Sequence, residues 1–187
     1  MQRRKFITST LAVSVLGPSV ASVKKGTPKY GRSTKSILVR AGEDRFHEPI
    51  KFRGISPNLV KISAKDTDGQ LSIFEYEGLA KMGPDLHVHF NQDEIFYIID
   101  GEYLFQVGDE QQTLKAGDTI FLPRNVPHTW LQLTEKGKMI YLLQPAGKME
   151  EFFKELNALK RPPTAQEMQA FALESGQKIV GPPLSVK

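Results

Sequence analysis

Aromatic and β-branched residues alternate with polar ones in short runs along most of this chain, the period-2 pattern of half-buried strands. Two such runs, residues 95–99 and 102–107, flank Asp100-Gly101, a dipeptide that favours a tight hairpin because both positions tolerate positive φ. Residues 111–114, 119–122, 128–133 and 139–144 repeat the pattern, separated by turn-forming clusters at Gly108-Asp109, Ala116-Gly117-Asp118 and 134–138. Upstream, residues 36–40, 59–63 and 70–76 read as further strands. Short strands at this spacing predict an all-β fold, an antiparallel β-barrel over residues 36–146.

The period changes after Lys148. Phe152, Phe153, Leu156 and Leu159 fall at helical spacing, and Thr164-Ala165-Gln166-Glu167 is a capping box opening a second helix with Met168, Phe171 and Ala172 on one face and Gly176 as its stop. Residues 147–187 are therefore expected to form a C-terminal helical tail that packs on the outside of the barrel or across a subunit, with a lid over the barrel mouth as the alternative. Residues 22–35, rich in Lys, Gly and Ser, read as a flexible lead-in. There is no internal repeat, and the length suits one domain.

Read as a hairpin, Asp100-Gly101 sets Glu94, Phe96 and Ile98 opposite Val107, Phe105 and Tyr103, so that parity puts all six on one face. The other face carries Ile95, Tyr97, Ile99 and Leu104. Such a face is too apolar to lie bare, and it calls for cover from a sheet of the N-terminal region, a helix or a second subunit. A homodimer is the expected assembly.

Against this background the chemistry concentrates in one place. Three of the four histidines belong to one constellation: His87-Val88-His89, then Glu94, then His128. Residues i and i+2 of a strand point to the same side, so His87 and His89 present both imidazoles to one point. Adding a carboxylate and a third imidazole makes a divalent-metal site suited to iron, manganese, nickel or copper, with zinc also accommodated. Four protein ligands on an ion that prefers about six leave positions open for water, oxygen or substrate. The chain has no cysteine, which excludes a thiolate zinc site, a disulfide framework and a lipid-anchoring cysteine.

The stretch from Gly83 to Gly101 and the stretch Gly117-Asp118-Thr119-Ile120-Phe121-Leu122-Pro123-Arg124-Asn125-Val126-Pro127-His128 together resemble the two signature motifs of the cupin superfamily, whose fold is a small antiparallel β-barrel or jelly roll. The first motif of that family supplies two His and a Glu and the second the last His, which implies metal ligation by His87, His89, Glu94 and His128. Three positions depart from the pattern: Gly83 sits closer to His87, Asn125 replaces a glycine, and Gln132 replaces an asparagine. Asn tolerates the left-handed backbone nearly as well as Gly, and none of the departures removes a ligand.

At the N-terminus, Arg3-Arg4-Lys5, a short weakly apolar stretch to Leu16 and small residues ending at Ala21 look like a twin-arginine export signal over residues 1–21. Its removal takes the formal net charge from +4 to +1, since three cations and no acid leave with it. No basic stripe then remains to call for nucleic acid or an anionic membrane. The mature protein is expected to be periplasmic, without a stable membrane anchor.

Motif content and the tail ending Ile179-Val180-Gly181-Pro182-Pro183 look most like small single-domain cupins related to quercetin dioxygenases. The resemblance implies a mononuclear metal dioxygenase-like enzyme acting on a small aromatic or phenolic substrate. Glu94 would be both fourth ligand and, when off the metal, the catalytic general base. Phe96, Tyr103, Phe105, Trp130 and Gln132 are the expected pocket wall, Trp130 and Gln132 by sharing the parity of His128. Sugar or keto-acid isomerisation or decarboxylation on the same metal is a second reading, and non-catalytic small-molecule binding a third. His47 and Arg124 read as solvent-facing loop residues.

Overall fold

The computed structural model describes residues 31–159 and 161–185. The export signal and most of the lead-in lie outside the described residues. Eleven strands and two helices follow one another in the described chain: β1 Ile50–Phe52, β2 Ser56–Ile62, β3 Ser72–Gly78, β4 Asp85–His89, β5 Asp93–Asp100, β6 Glu102–Val107, β7 Glu110–Lys115, β8 Thr119–Leu122, β9 His128–Gln132, β10 Gly137–Gln144, α1 Met149–Ala158, α2 Ala165–Glu174 and β11 Gln177–Pro183. They build two antiparallel sheets, β1-β2-β3-β10-β5-β8 and β11-β4-β9-β6-β7. Residues 36–40 form no strand.

Alternation along each strand decides which side chains enter the core. On β10, Met139, Tyr141 and Leu143 are buried while Lys138 and Ile140 are less so. On β5 and β6 the buried set is Glu94, Phe96 and Ile98 with Tyr103 and Phe105, the parity expected from the sequence. The pairing differs. β5 bonds to β10 and β8, and β6 bonds to β9 and β7. Asp100-Gly101 is therefore a corner between the two sheets, with Gly101 at φ 84, instead of a hairpin turn. A strand's parity is local, whereas its partner is chosen by the packing of both sheets.

Of the covers expected over Tyr97 and Ile99, the N-terminal sheet is excluded. β1 to β3 extend the same sheet as β5 and so cannot lie across its outer face. Tyr97, Ile99 and Phe121 are 46%, 39% and 57% exposed, and Ile95 and Leu104 are half-buried.

Both C-terminal helices form, and the Thr164 hydroxyl and Glu167 carboxylate close the capping box of α2 reciprocally. α1 is fastened by Glu150, a buried carboxylate that accepts from the Ser63 hydroxyl at 2.8 Å and the Ala64 N–H at 2.6 Å. The tail is not wholly helical, however. β11 returns to pair with β4, setting Gln177 against His89 and Ile179 against His87. Gly181, Pro182 and Pro183 disguise this strand, yet it lies at a sheet edge, where a missing N–H is tolerated.

Gly83 enters β4 with its α-carbon against the Trp130 carbonyl; a Cβ there would fall inside the contact distance of that backbone oxygen. Neither partner is a flexible side-chain end. Gly83→Ala is expected to destabilise the fold by about 1–3 kcal/mol through overpacking, read as a lowered urea midpoint with an unchanged slope.

Candidate metal centre

His87 and His89 stand two apart on β4, Glu94 near the start of β5 and His128 at the start of β9, directly opposite His87. The structure brings these four side chains together: their candidate ligand atoms lie within 4.8 Å of one another, and all four residues are buried. The three rings pack at centroid distances of 4.6 to 5.5 Å. The Glu94 carboxylate sits 3.4 Å from Nε2 of His89 through one oxygen and 3.4 Å from Nε2 of His128 through the other.

Each ring is held from behind. Nδ1 of His87 faces the Asp85 carbonyl at 2.8 Å and Nδ1 of His128 faces the Val126 carbonyl at 2.9 Å. A carbonyl only accepts, so both Nδ1 atoms carry the proton and both Nε2 lone pairs point inward. His89 reaches the same state through a side chain: its Nδ1 is 3.1 Å from Oε1 of Gln92, whose Nε2 donates to the Ala146 carbonyl at 2.8 Å. That second bond fixes the amide with its oxygen toward the histidine. The turn before His128 is shaped by Asn125 at φ 63, whose N–H donates to the His89 carbonyl at 2.7 Å. Asparagine thus fills the left-handed position that its sequence context required.

The electrostatics favour a cation. Burial is the largest influence on His87 and His89 and lowers both, to about 3 for His87, with repulsion among the imidazoles adding to it. Burial alone would raise Glu94, but the facing His89, His128 and His87 bring it down to about 2. His87 and His89 held toward the neutral form, beside a carboxylate lowered toward its ionised form, are in the states that ligation of a divalent ion requires.

Buried Nε2 atoms of His89 and His128 have no hydrogen-bond partner among the described residues, a costly arrangement for a polar group in a protein interior. A metal ion would supply the partner that these inward nitrogen atoms lack. The residues present therefore fit a mononuclear metal, and the donor set of three nitrogens and one oxygen suits the first-row transition ions.

A cavity of about 900 Å³ opens onto His87 and Glu94. Of the expected wall residues, Phe96 and Trp130 line it, whereas Tyr103, Phe105 and Gln132 do not and are sealed in the core. Gln132 hydrogen-bonds the Gly78 and Thr134 carbonyls. Sequence reasoning did not find Phe52, Asn58, Tyr76 and Tyr141, nor the α1 side chains Phe152, Phe153 and Leu156, all of which line the cavity. Tyr141 donates to Asn58 Oδ1 at 2.9 Å, and burial raises its hydroxyl well above the ordinary tyrosine value, so it stays protonated. His47 lies exposed, apart from the cavity. Arg124 is exposed but not idle: with Asp93 it pins the turn before His128 to the start of β5, its Nε donating at 3.0 Å and its backbone N–H at 2.9 Å.

Comparison with known proteins agrees with this architecture. Residues 73–143 match the family model described as the cupin domain. Quercetin 2,3-dioxygenase of Bacillus subtilis is 30% identical over 97 residues, which cover 52% of this chain and 28% of that protein. The curated relatives it matches are spanned over only 34% and 28% of their length. Among solved structures, a predicted oxalate decarboxylase from Thermotoga maritima has a TM-score of 0.52 at 20% identity, covering 58% of this chain and 99% of that one. An RmlC-like cupin from Shewanella frigidimarina has a TM-score of 0.51 at 20% identity, covering 60% and 93%. The fold is the cupin jelly roll, and it carries a buried His/Glu cluster suited to a metal ion.

Gln92 is the one side chain among the three anchors behind the histidine rings, and so the one open to substitution. Gln92→Leu keeps the volume but frees His89 Nδ1; metal affinity is expected to fall 10–100-fold, measured by competition with a chromophoric chelator.

Proposed function

We propose that this protein is an exported, mononuclear metal-dependent oxidoreductase of the dioxygenase-like kind, acting on a small aromatic, phenolic substrate. The observation that carries the reading is the junction of an aromatic-walled cavity of about 900 Å³ with the His87 and Glu94 side of the cluster. That volume suits an organic molecule of drug-like size. Similarity to a quercetin 2,3-dioxygenase over half of the chain supports it.

His87, His89, Glu94 and His128 would hold the ion, whether iron, manganese, nickel or copper. Once bound, it supplies Lewis acidity and redox access for substrate and oxygen. The protein supplies the rest. Phe96, Trp130 and Phe52 face the cavity and exclude water around a ring stacked among them. Glu94 lines the cavity as well as the cluster, so its carboxylate is the group within reach of a phenolic proton. A carboxylate bound to a cation is a weak base, and loosening inside an apolar pocket raises its proton affinity. Tyr141 is stacked on Phe96 at 5.2 Å and keeps its own proton, so it cannot compete for this role.

An aromatic substrate is favoured over a sugar because, apart from the histidine–glutamate cluster, the buried polar side chains that line the cavity, Asn58, Tyr76, Tyr141 and Gln177, stand among aromatic and aliphatic neighbours. A polyol needs many converging donors and acceptors. The twin-arginine signal at residues 1–21 would carry the folded protein to the periplasm with its metal already in place.

The mature protein is expected to purify with about one equivalent of iron, manganese, nickel or copper, and His128→Ala to lose it, by elemental analysis. Oxygen uptake should follow addition of a phenolic substrate. Glu94→Gln should retain part of the metal while turnover falls about 10²–10⁴-fold. Absence of metal from the parent protein sinks the reading in favour of a binding barrel.

A further inference from the structure

The cavity has a polar mouth as well as an apolar interior. Its rim is formed where the β1–β2 turn approaches the start of β4 and the turn between the helices, and three cations stand there: Lys51, Arg53 and Arg161. Their states differ. Arg161 is committed to Glu167 by two short bonds, at 2.7 and 2.8 Å. Lys51 forms no ion pair among the described residues. Arg53 makes a single contact of 3.4 Å with the Asp85 carboxylate, which leaves most of the donor fork of a guanidinium unused.

The placement of Arg53 is unusual in itself. It sits at φ 49, followed by Gly54 at φ 74, in the left-handed region that a long side chain seldom occupies. Such positions cluster at ligand clamps. The guanidinium lies 5.9 Å from the centroid of the Phe52 ring, and Phe52 packs on Trp130 at 5.8 Å. One edge of the aromatic slot thus ends in a positive charge. Asp85 is turned to Arg53, as Glu167 is to Arg161, while the Asp85 backbone carbonyl holds His87.

We infer that Arg53, assisted by Lys51, is the receptor for a carboxylate, and that the cavity takes an aromatic acid with its anionic end at the mouth and its ring directed toward the histidine–glutamate cluster. Arg is suited to this because its planar fork grips both carboxylate oxygens while its face stacks on an aromatic ring. The anion displaces the single long contact from Asp85 with a two-point one. Excess positive charge at the mouth draws such a ligand in, more weakly as salt is raised. The inference deepens the proposed function and rests on the same cavity being the substrate site.

Trp130 is the only tryptophan in the chain and lines the cavity, so its fluorescence reports occupancy without any turnover. The metal-loaded full-length mature protein is titrated with 3-phenylpropanoate and with methyl 3-phenylpropanoate, which differ in charge and hardly in shape. The acid is expected to bind about tenfold more tightly, and Arg53→Gln to bring it to within about twofold of the ester while ester binding stays unchanged, which also shows that the variant is folded. Equal affinity for acid and ester, or no saturable change with either, overturns the inference. So does a preference that survives Arg53→Gln but vanishes on metal removal, since the carboxylate would then bind the ion. A protein inert toward oxygen that still prefers the acid through Arg53 refutes the dioxygenase reading and leaves this one standing. Oxygen-dependent turnover of neutral phenols without any acid preference does the reverse.

Discussion

Three imidazoles and a carboxylate removed from water together are the constraint around which the rest of the molecule is organised. Withdrawing polar nitrogens and an ionised oxygen into an interior is unfavourable unless each finds a partner. Here the outward halves of the rings find them, in the Asp85 and Val126 carbonyls and in Gln92, while Nε2 of His89 and His128 find none among the described residues. The structure thus invests rigid support on one side of each histidine and leaves the other side for a ligand. Against the effect of burial, Glu94 is brought down to about 2 by its charge interactions and hydrogen bonding with the facing histidines.

That support comes from distant parts of the chain. β4 and β9 belong to one sheet and β5 to the other, so the cluster spans the gap between the sheets. Gln92 reaches 54 residues along the sequence to Ala146, just beyond β10. β11, at the far end of the chain, lies against His87 and His89. Bringing these side chains together from both sheets ties the two layers to each other, with the Asn125 turn bonded to the His89 carbonyl and Gly83 lying against the Trp130 carbonyl.

The histidine–glutamate cluster was legible because its signal is local: a two-residue strand spacing, a carboxylate five residues on, and a lone third histidine after a turn. Parity was legible for the same reason, and Phe96, Ile98, Tyr103 and Phe105 all face inward. What parity cannot tell is which inward side chains meet a cavity and which meet one another. Phe96 and Trp130 line open space while Tyr103 and Phe105 are 0% exposed. Pairing was misread at Asp100-Gly101 because a corner and a hairpin turn require the same residues. β11 was hidden by its prolines, and Asn58 and Tyr141 by a separation of 83 residues, since a hydrogen bond at that range leaves no periodic trace.

The C-terminal segment joins these two kinds of information. A tail that merely covered the outside would be dispensable to the site, but here α1 presents Phe152, Phe153 and Leu156 to the cavity and β11 backs the strand that bears two ligands. Glu150 secures α1 to Ser63 and Ala64, next to β2, which bears Asn58. The wall of the cavity and the position of the histidines therefore answer to the same stretch of chain. Disturbing α1 alters the shape presented to a substrate, and disturbing β11 alters the ligands themselves. Pocket shape and metal geometry are thus coupled through covalent continuity as well as contact.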